Sequence, residues 1–190
     1  GGVHGLSEGE SAAGCGNVGG GRGAGIGGAA VRGVGLGGRG RAAAQPDCGN
    51  SGTTRRCLAG ILGAQDCVTG LIGDGSLSRR PMDRVVKPLV EMGAHAQWPP
   101  LRVGGRVPLH GIEYEMPVAS APVKSAVLLA GLFAQGHTAV SETGSSRAAT
   151  HVMLRSMGAD IPPHDGRIGA GRATTPRPSD RSSPGCTPHA

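Results

Sequence analysis

Apolar residues in the middle of the chain recur at helical spacing in two places. Leu58, Ile61 and Leu62 follow the i, i+3, i+4 spacing of one buried helix face. Residues 123–132 are apolar on nearly all sides, which is typical of a helix buried within a core. Residues 99–120 mix β-branched residues with Gly and Pro, as strands and turns do. Helices that alternate with strands predict an α/β fold.

These segments belong to an internal repeat. LAGILGAQDCVTG at 58–70 resembles LAGLFAQGHTAVS at 129–141, and MGAH at 92–95 resembles MGAD at 157–160. In both copies the order of features is a helix, a short strand, a loop with an arginine, a second helix and an extended segment. The pattern predicts two α/β units within residues 50–161, related by approximate three-fold symmetry.

Composition divides the chain into three parts. The chain contains 37 Gly and 14 Pro but only one Trp, one Tyr and one Phe, and much of the glycine lies in residues 14–40. Ordering a glycine-rich segment has a high entropy cost, and few aromatic residues leave little apolar surface to offset it. We therefore expect folded repeats over 47–162, between a Gly-rich part (1–46) and a low-complexity tail (163–190), with irregular structure over 11–46 and 163–190.

The charge and the cysteines narrow the class of protein. A net charge of +6 and a pI near 9.6 favour anionic partners, either nucleic acid or phosphorylated metabolites. The five cysteines are odd in number and form no CxxC pair, so we expect no disulfide framework, no metal and a cytoplasmic location. No apolar run reaches the roughly 20 residues that span a bilayer, so we expect no membrane association. The absence of an initiator Met predicts a piece of a longer protein.

The first repeat begins its helix with a set of residues suited to an anion. The stretch DCGNSGTTRR at 47–56 places Asn50 and Thr53 where free helix N–H groups attract negative charge. Gly52 lets a ligand approach the backbone closely, and Arg56 follows one turn later. The alternative interpretation is an ordinary capped helix followed by solvated arginines.

The second repeat carries a related set. Ser120 precedes its helix, and Lys124 follows within the first turn; the alternative is a serine cap beside a surface lysine. Arg80 and Arg147 occupy equivalent places in the two copies, each beside a helix start. A guanidinium group in such a loop makes a planar fork for phosphate or carboxylate.

Five motifs occur in the order of a known family: DCGNSGTTxR, GDxSLxxRPMxRVVxPLxxMGA, PPLRVGG, GIEYEMPVASAxVKSAVLLAGL and SRxxTxxMLRxMGA. Together, over 47 to about 161, they resemble the 5-enolpyruvylshikimate-3-phosphate (EPSP) synthase family, also called 3-phosphoshikimate 1-carboxyvinyltransferases. The resemblance implies an α/β enolpyruvyl transferase-like lobe of βαβαββ repeats, with about two of the family's six repeats recognisable here. Residues 1–46 would then be the degraded N-terminal part of that lobe.

The resemblance also implies a reaction. The enolpyruvyl group of phosphoenolpyruvate would be transferred to the 5-hydroxyl of shikimate 3-phosphate, with release of phosphate, in aromatic amino-acid biosynthesis. Motif matching assigns phosphoenolpyruvate binding to Asn50, Gly52, Thr53 and Arg80. The family resemblance implies no cofactor, and we expect a monomer.

Ser120 and Arg147 match residues that would hold shikimate 3-phosphate. The sequence departs from the family nearby: Arg55 stands where the family has Met, and Pro122 stands where it has a substrate-binding Gln. The 190 residues contain no DKSISHR-like segment and no second lobe with acid/base carboxylates. We therefore assign no catalytic residue and expect the chain alone to be nearly inert.

The alternative function is a non-catalytic basic protein whose Gly/Arg-rich segments bind nucleic acid or a phosphorylated ligand. Segments such as GGGRG can contact RNA. Stacking platforms for bases generally need aromatic side chains, however, and this chain has three in total. We therefore expect small phosphorylated molecules rather than nucleic acid as partners.

Overall fold

The structure is a computed structural model, and part of the chain can be described from it. The described residues are 18–20, 29–31, 45–104, 108–144, 146, 149–159, 161, 163–164 and 167–170. Arg147 lies outside them, as do most of 1–46 and of the predicted tail, so the expectations for those residues stay predictions.

Five helices and nine strands are found in the described residues. The helices are α1 (Gly52–Gly63), α2 (Gly75–Arg79), α3 (Asp83–Glu91), α4 (Ala121–Gly131) and α5 (Ala149–Ser156). The strands are β1 (Val18–Gly20), β2 (Ala29–Val31), β3 (Thr69–Gly70), β4 (His95–Gln97), β5 (Arg102–Gly104), β6 (Glu113–Met116), β7 (Thr138–Glu142), β8 (Pro163–His164) and β9 (Arg167–Ala170). The α/β fold class is confirmed.

The predicted repeat is visible in the sheet topology. In the first unit (45–104) the strand order is β3-β5-β4, and in the second unit (108–170) it is β7-β9-β8, with antiparallel neighbours in both. Strand β6 adds to β7 in parallel, and Asp47 forms a single parallel bridge to Ile72 at the matching place in the first unit. The chain in each unit thus follows the order βαβαββ. The first unit contains the short helix α2 in addition. The three-fold relation itself stays a prediction.

The two units meet where α1 packs against α4. A Cβ atom at Gly60 would overlap the carbonyl oxygen of Ala126, so the two helix backbones lie in close contact there. The predicted buried face of α1 is therefore partly wrong: Leu62 is buried, but Leu58 and Ile61 are only half-buried. Small residues decide which side of α1 faces α4, because only they allow this approach.

Helix α4 is buried on most sides, as its sequence predicts. Val127, Leu128 and Ala130 have no measurable exposure, and they belong to one apolar cluster that also contains Leu89 and Met92. The core therefore extends across both units rather than forming one cluster per unit.

The expectation of irregular structure over 11–46 and 163–190 is wrong at several described residues. Strand β9 pairs with β7 and β8, and β1 pairs with β2. In β8 and β9, His164 pairs with Arg167. The sequence has Asp-Gly between these two strands, a strong hairpin signal that composition alone obscured.

Candidate functional site

Helix α1 begins with a regular cap. Ser51 is its N-cap residue, and its side-chain oxygen accepts a hydrogen bond from the Thr54 backbone N–H at 3.2 Å. Ser51 Oγ also lies 2.8 Å from Thr54 Oγ1. Thr53 is exposed and its hydroxyl has no partner among the described residues. The side chain of Ser51 thus caps the helix, which is compatible both with an anion site and with an ordinary capped helix.

A chain of hydrogen bonds fixes Arg80 beside this helix start. Asp74 accepts from the Leu77 backbone N–H at 2.7 Å and from Asn50 Nδ2 at 2.5 Å. Asn50 Oδ1 then accepts from Arg80 Nη2 at 2.7 Å, and the Asn50 carbonyl oxygen accepts from Arg80 Nη1 at 3.3 Å. The bonds from Leu77 and then Asn50 lower the pKa of Asp74, which therefore stays ionised. Its carboxylate orients the Asn50 amide, and the amide orients the guanidinium group.

Gly52 lies against two guanidinium groups. A Cβ at this position would be 2.9 Å from Arg56 Nη1, so this group would have to move, and 3.5 Å from Arg80 Nη1, an ordinary contact. Burial lowers the pKa of Arg56, and the positive charges of Arg80 and Arg84 lower it further. None of these arginines forms a salt bridge with a carboxylate in the described part of the chain. Three cations beside free helix amides favour an anion.

The start of α4 differs from that of α1. Ser120 is its N-cap residue and is half-buried, but its side chain makes no capping hydrogen bond. Lys124 is not a surface residue: it is 2% exposed, and its Nζ lies 2.8 Å from Glu142 Oε1. The alternative interpretation, a serine cap beside a surface lysine, is therefore wrong for the lysine, and Ser120 occupies the N-cap position without a side-chain capping bond.

Arg84 interacts electrostatically with Arg56, in the first turn of α1. It also lines a cleft of about 90 Å³ with Val118 and Val123, which flank the start of α4. Arg56, Arg80 and Arg84 are called the arginine cluster.

Of the predicted site residues, Asn50, Gly52 and Arg80 come together. Thr53 lies at the same helix start, but no described hydrogen bond joins it to them. Ser120 starts the other helix, and Arg147 lies outside the described residues. The sequence interpretation missed Asp74, although an Asp three residues before Leu77 is a usual capping signal.

Arg55 occupies a buried position, as expected for the residue that replaces a family Met. It is 2% exposed, its Nη1 donates to the Leu77 carbonyl oxygen at 2.8 Å, and its guanidinium carbon lies 4.4 Å from the centroid of the Trp98 ring. Burial lowers its pKa. Arg55 is thus held inside the first unit and is not a member of the arginine cluster.

No metal-ligating group of three or more His, Cys, Asp or Glu side chains occurs among the described residues. The described helices include none with both the length and the apolar character of a membrane span.

The family model for EPSP synthase (3-phosphoshikimate 1-carboxyvinyltransferase) matches residues 27–183. The chain belongs to the EPSP synthase family. A 3-phosphoshikimate 1-carboxyvinyltransferase of Xanthomonas oryzae pv. oryzae is 52% identical over 136 residues, which are 69% of this chain and 31% of the relative. A relative with the same name from Alkalilimnicola ehrlichii is 49% identical over 150 residues, or 75% of this chain and 34% of its own length.

The fold agrees with a solved EPSP synthase. The structure from Acinetobacter baumannii has a TM-score of 0.73 and 43% identity, and the match covers 75% of this chain and 34% of that one. The resemblance found in the motifs is therefore confirmed, and so is the enolpyruvyl transferase-like lobe. The chain spans about a third of the length of these EPSP synthases, so it corresponds to a part of the family's full length.

Proposed function

We propose that the protein containing these residues transfers the enolpyruvyl group of phosphoenolpyruvate to the 5-hydroxyl of shikimate 3-phosphate, releasing phosphate. The observation that carries this proposal is the arginine cluster at the start of α1: Arg56 and Arg80 lie against Gly52, and no member of the cluster forms a described salt bridge. Membership of the EPSP synthase family supports the reaction. The pathway is that of aromatic amino-acid biosynthesis, and the enzyme class is transferase.

The first unit is suited to phosphoenolpyruvate, which carries a phosphate and a carboxylate. Arg80 is oriented by Asn50, and Arg56 also lies against Gly52, so two planar groups and the helix amides can share one polyanion. Thr53 contributes a free hydroxyl at the same helix start. This binding requires no change in the capped helix.

The second unit is suited to shikimate 3-phosphate, whose phosphate and hydroxyl groups can use the hydroxyl of Ser120. Family resemblance assigns Arg147 to the same ligand. The chain itself positions ligands, but we assign no acid/base group in it. Because several convergent groups supply most of the rate in such reactions, the 190 residues alone are nearly inert.

We also propose that the protein acts in the cytoplasm as a monomer, without binding a membrane or nucleic acid. The described cysteines Cys48, Cys57 and Cys67 are free thiols, which suits a reducing compartment.

Binding of phosphoenolpyruvate tests the first unit. In calorimetric titrations, Arg80→Gln should weaken binding about tenfold or more, because a charge-assisted hydrogen bond contributes about 1.5–3 kcal/mol. Arg79→Gln is the matched control: Arg79 is exposed and adjacent, and its loss should change the affinity less than about twofold. Equal effects of the two substitutions would show that binding depends on net charge and not on this site.

Turnover tests the claim about the isolated chain. Incubation with phosphoenolpyruvate and shikimate 3-phosphate, followed by a phosphate assay, should show almost no release. A rate on the order of 1 per second or more would contradict the claim.

A further inference from the structure

A charged pair is enclosed in the second unit. Lys124, in the first turn of α4, is 2% exposed, and its Nζ lies 2.8 Å from Oε1 of Glu142 at the end of β7. Enclosing two charges is unfavourable unless their geometry is good, and an apolar pair of similar size is often equally stable. Stability alone therefore does not account for this pair.

The pair binds both backbone groups of one loop residue. Glu142 Oε1 accepts a hydrogen bond from the Ser146 backbone N–H at 2.9 Å. Lys124 Nζ donates to the Ser146 carbonyl oxygen at 3.4 Å. Ser146 lies in the loop between β7 and α5, so the ion pair joins this loop to the first turn of α4.

A second contact joins the same two regions. Ser125, next to Lys124, lies with its Oγ 2.6 Å from Thr150 Oγ1, and it also donates to the Ala121 carbonyl oxygen at 2.8 Å. The loop is thus attached to the start of α4 at two places, through Ser146 and through Thr150. Helix α4 is the fixed element, because its residues from Val123 to Leu128 are buried.

The surroundings of Glu142 keep its carboxylate charged. Burial alone would raise the pKa of Glu142, but the hydrogen bonds from Lys124 and Ser146 outweigh it and lower the pKa. His151 also faces this group, and its pKa is lowered by burial and then by the charges of Lys124 and Arg155. Near neutral pH, Glu142 is therefore ionised and His151 is uncharged.

We propose that Lys124 and Glu142 are positioning residues for the shikimate 3-phosphate site: they hold the Ser146 backbone at a fixed place relative to Ser120, one helical turn before Lys124. The inference rests on the proposed function, because it takes shikimate 3-phosphate as the ligand of this helix start. Neither side chain contacts the ligand. Both act through the loop.

The decisive variant is Lys124→Met combined with Glu142→Leu. It removes both charges, so neither remains buried and unpaired, and the unfolding midpoint in urea should stay near that of the parent. The Ser146 amide should lose its protection, with hydrogen exchange measured by NMR at least tenfold faster. The dissociation constant for shikimate 3-phosphate should rise at least tenfold. That for phosphoenolpyruvate, which uses Gly52 and Arg80, should change less than twofold.

A merely stabilising pair predicts a different result. If the double variant kept both the shikimate 3-phosphate affinity and the Ser146 protection of the parent, the proposal would be wrong. Should that variant fail to fold, Glu142→Gln keeps the size of the side chain and should give a smaller change of the same kind in both readouts. Glu115→Gln, an exposed carboxylate on β6, is its control and should change neither. No change in Glu142→Gln would also overturn the proposal.

The two proposals can fail separately. If the parent chain binds no shikimate 3-phosphate, the proposed function fails for this helix start, and with it the ligand assigned to the positioning residues. Faster exchange at Ser146 in the variants would still show that the pair fixes the loop, and unchanged exchange would contradict that as well.

Discussion

The two units share a chain topology but treat positive charge in opposite ways. In the first unit, Arg56, Arg80 and Arg84 lie together at a helix start with no described carboxylate in salt-bridge reach. In the second unit, the cation at the helix start is Lys124, which is buried and paired with Glu142. An unneutralised group is available for an anionic ligand, whereas a paired and buried one is already used by the fold. The repeated fold therefore does not repeat the chemistry.

The N-cap serines of α1 and α4 also differ between the two units. Ser51 accepts the capping hydrogen bond of α1, while Ser120 makes none at the start of α4. In the first unit the serine caps the helix and the arginines form no described salt bridge. In the second unit the cation is paired and the serine makes no capping bond.

The largest expected effect comes from removing one cation in each unit. Lys124→Met leaves the largely buried Glu142 carboxylate without its cation, although the Ser146 N–H still donates to it, and should lower the free energy of unfolding by about 3–5 kcal/mol. Arg56→Met leaves no carboxylate unpaired and relieves repulsion from Arg80 and Arg84, so the change should stay within about 1 kcal/mol. Urea unfolding measures both. Similar losses in the two variants would remove the distinction between the units.

The next effect tests the contact that joins the units. Gly60→Ala places a methyl group against the Ala126 backbone, and moving that backbone should lower the free energy of unfolding by about 1–3 kcal/mol. Gly75→Ala is the control, because its Cβ would lie 3.6 Å from Arg79 Nη1, an ordinary contact. The control should be neutral or slightly stabilising. A neutral result for Gly60→Ala would mean that α1 and α4 are less closely packed.

The two serines should separate stability from binding. Ser51→Ala removes a capping acceptor and should lower the free energy of unfolding by about 1 kcal/mol. Ser120→Ala removes no capping bond, so the free energy of unfolding should change by less than about 0.5 kcal/mol. Binding of shikimate 3-phosphate should nevertheless weaken. A loss of stability in Ser120→Ala equal to that in Ser51→Ala would contradict this difference between the two serines.

The smallest effect concerns pH. Because the folded protein lowers the pKa of Glu142 below its usual 4.5, the associated stabilisation is complete above that value and is lost as pH falls through the folded pKa. The variant with Lys124→Met and Glu142→Leu lacks this contribution, so its urea midpoint should fall less steeply between about pH 5 and pH 3. Curves of identical slope would show that Glu142 titrates alike in the folded and unfolded chains.

Local sequence patterns predicted the elements that depend on neighbouring residues. The repeat, the start of α1 at Gly52 and the burial of α4 follow from periodicity and capping chemistry, which act over a few residues. The grouping of Asn50 with Arg80, which are 30 residues apart, was predicted only through the family motifs.

The features that the sequence did not predict depend on distant partners. Lys124 is buried because Glu142, 18 residues away, comes within reach, and nothing around Lys124 signals this. The buried face of α1 is set by the backbone of α4 at Ala126 rather than by the larger apolar side chains of α1. Strand β9 was missed because four residues that include Gly169 carry too little pattern to outweigh the composition of the tail.

The stacking of Arg55 on Trp98 gives the molecule an intrinsic optical reporter. Trp98 is the only tryptophan in the chain, and its indole ring is half-buried beneath the guanidinium group. Separation of that stack exposes the indole to water and shifts its fluorescence to longer wavelength. Because the second unit contains no tryptophan, the emission follows the opening of the first unit alone. Comparison with circular dichroism, which records the helices of both, would therefore show whether the two units unfold together or one at a time.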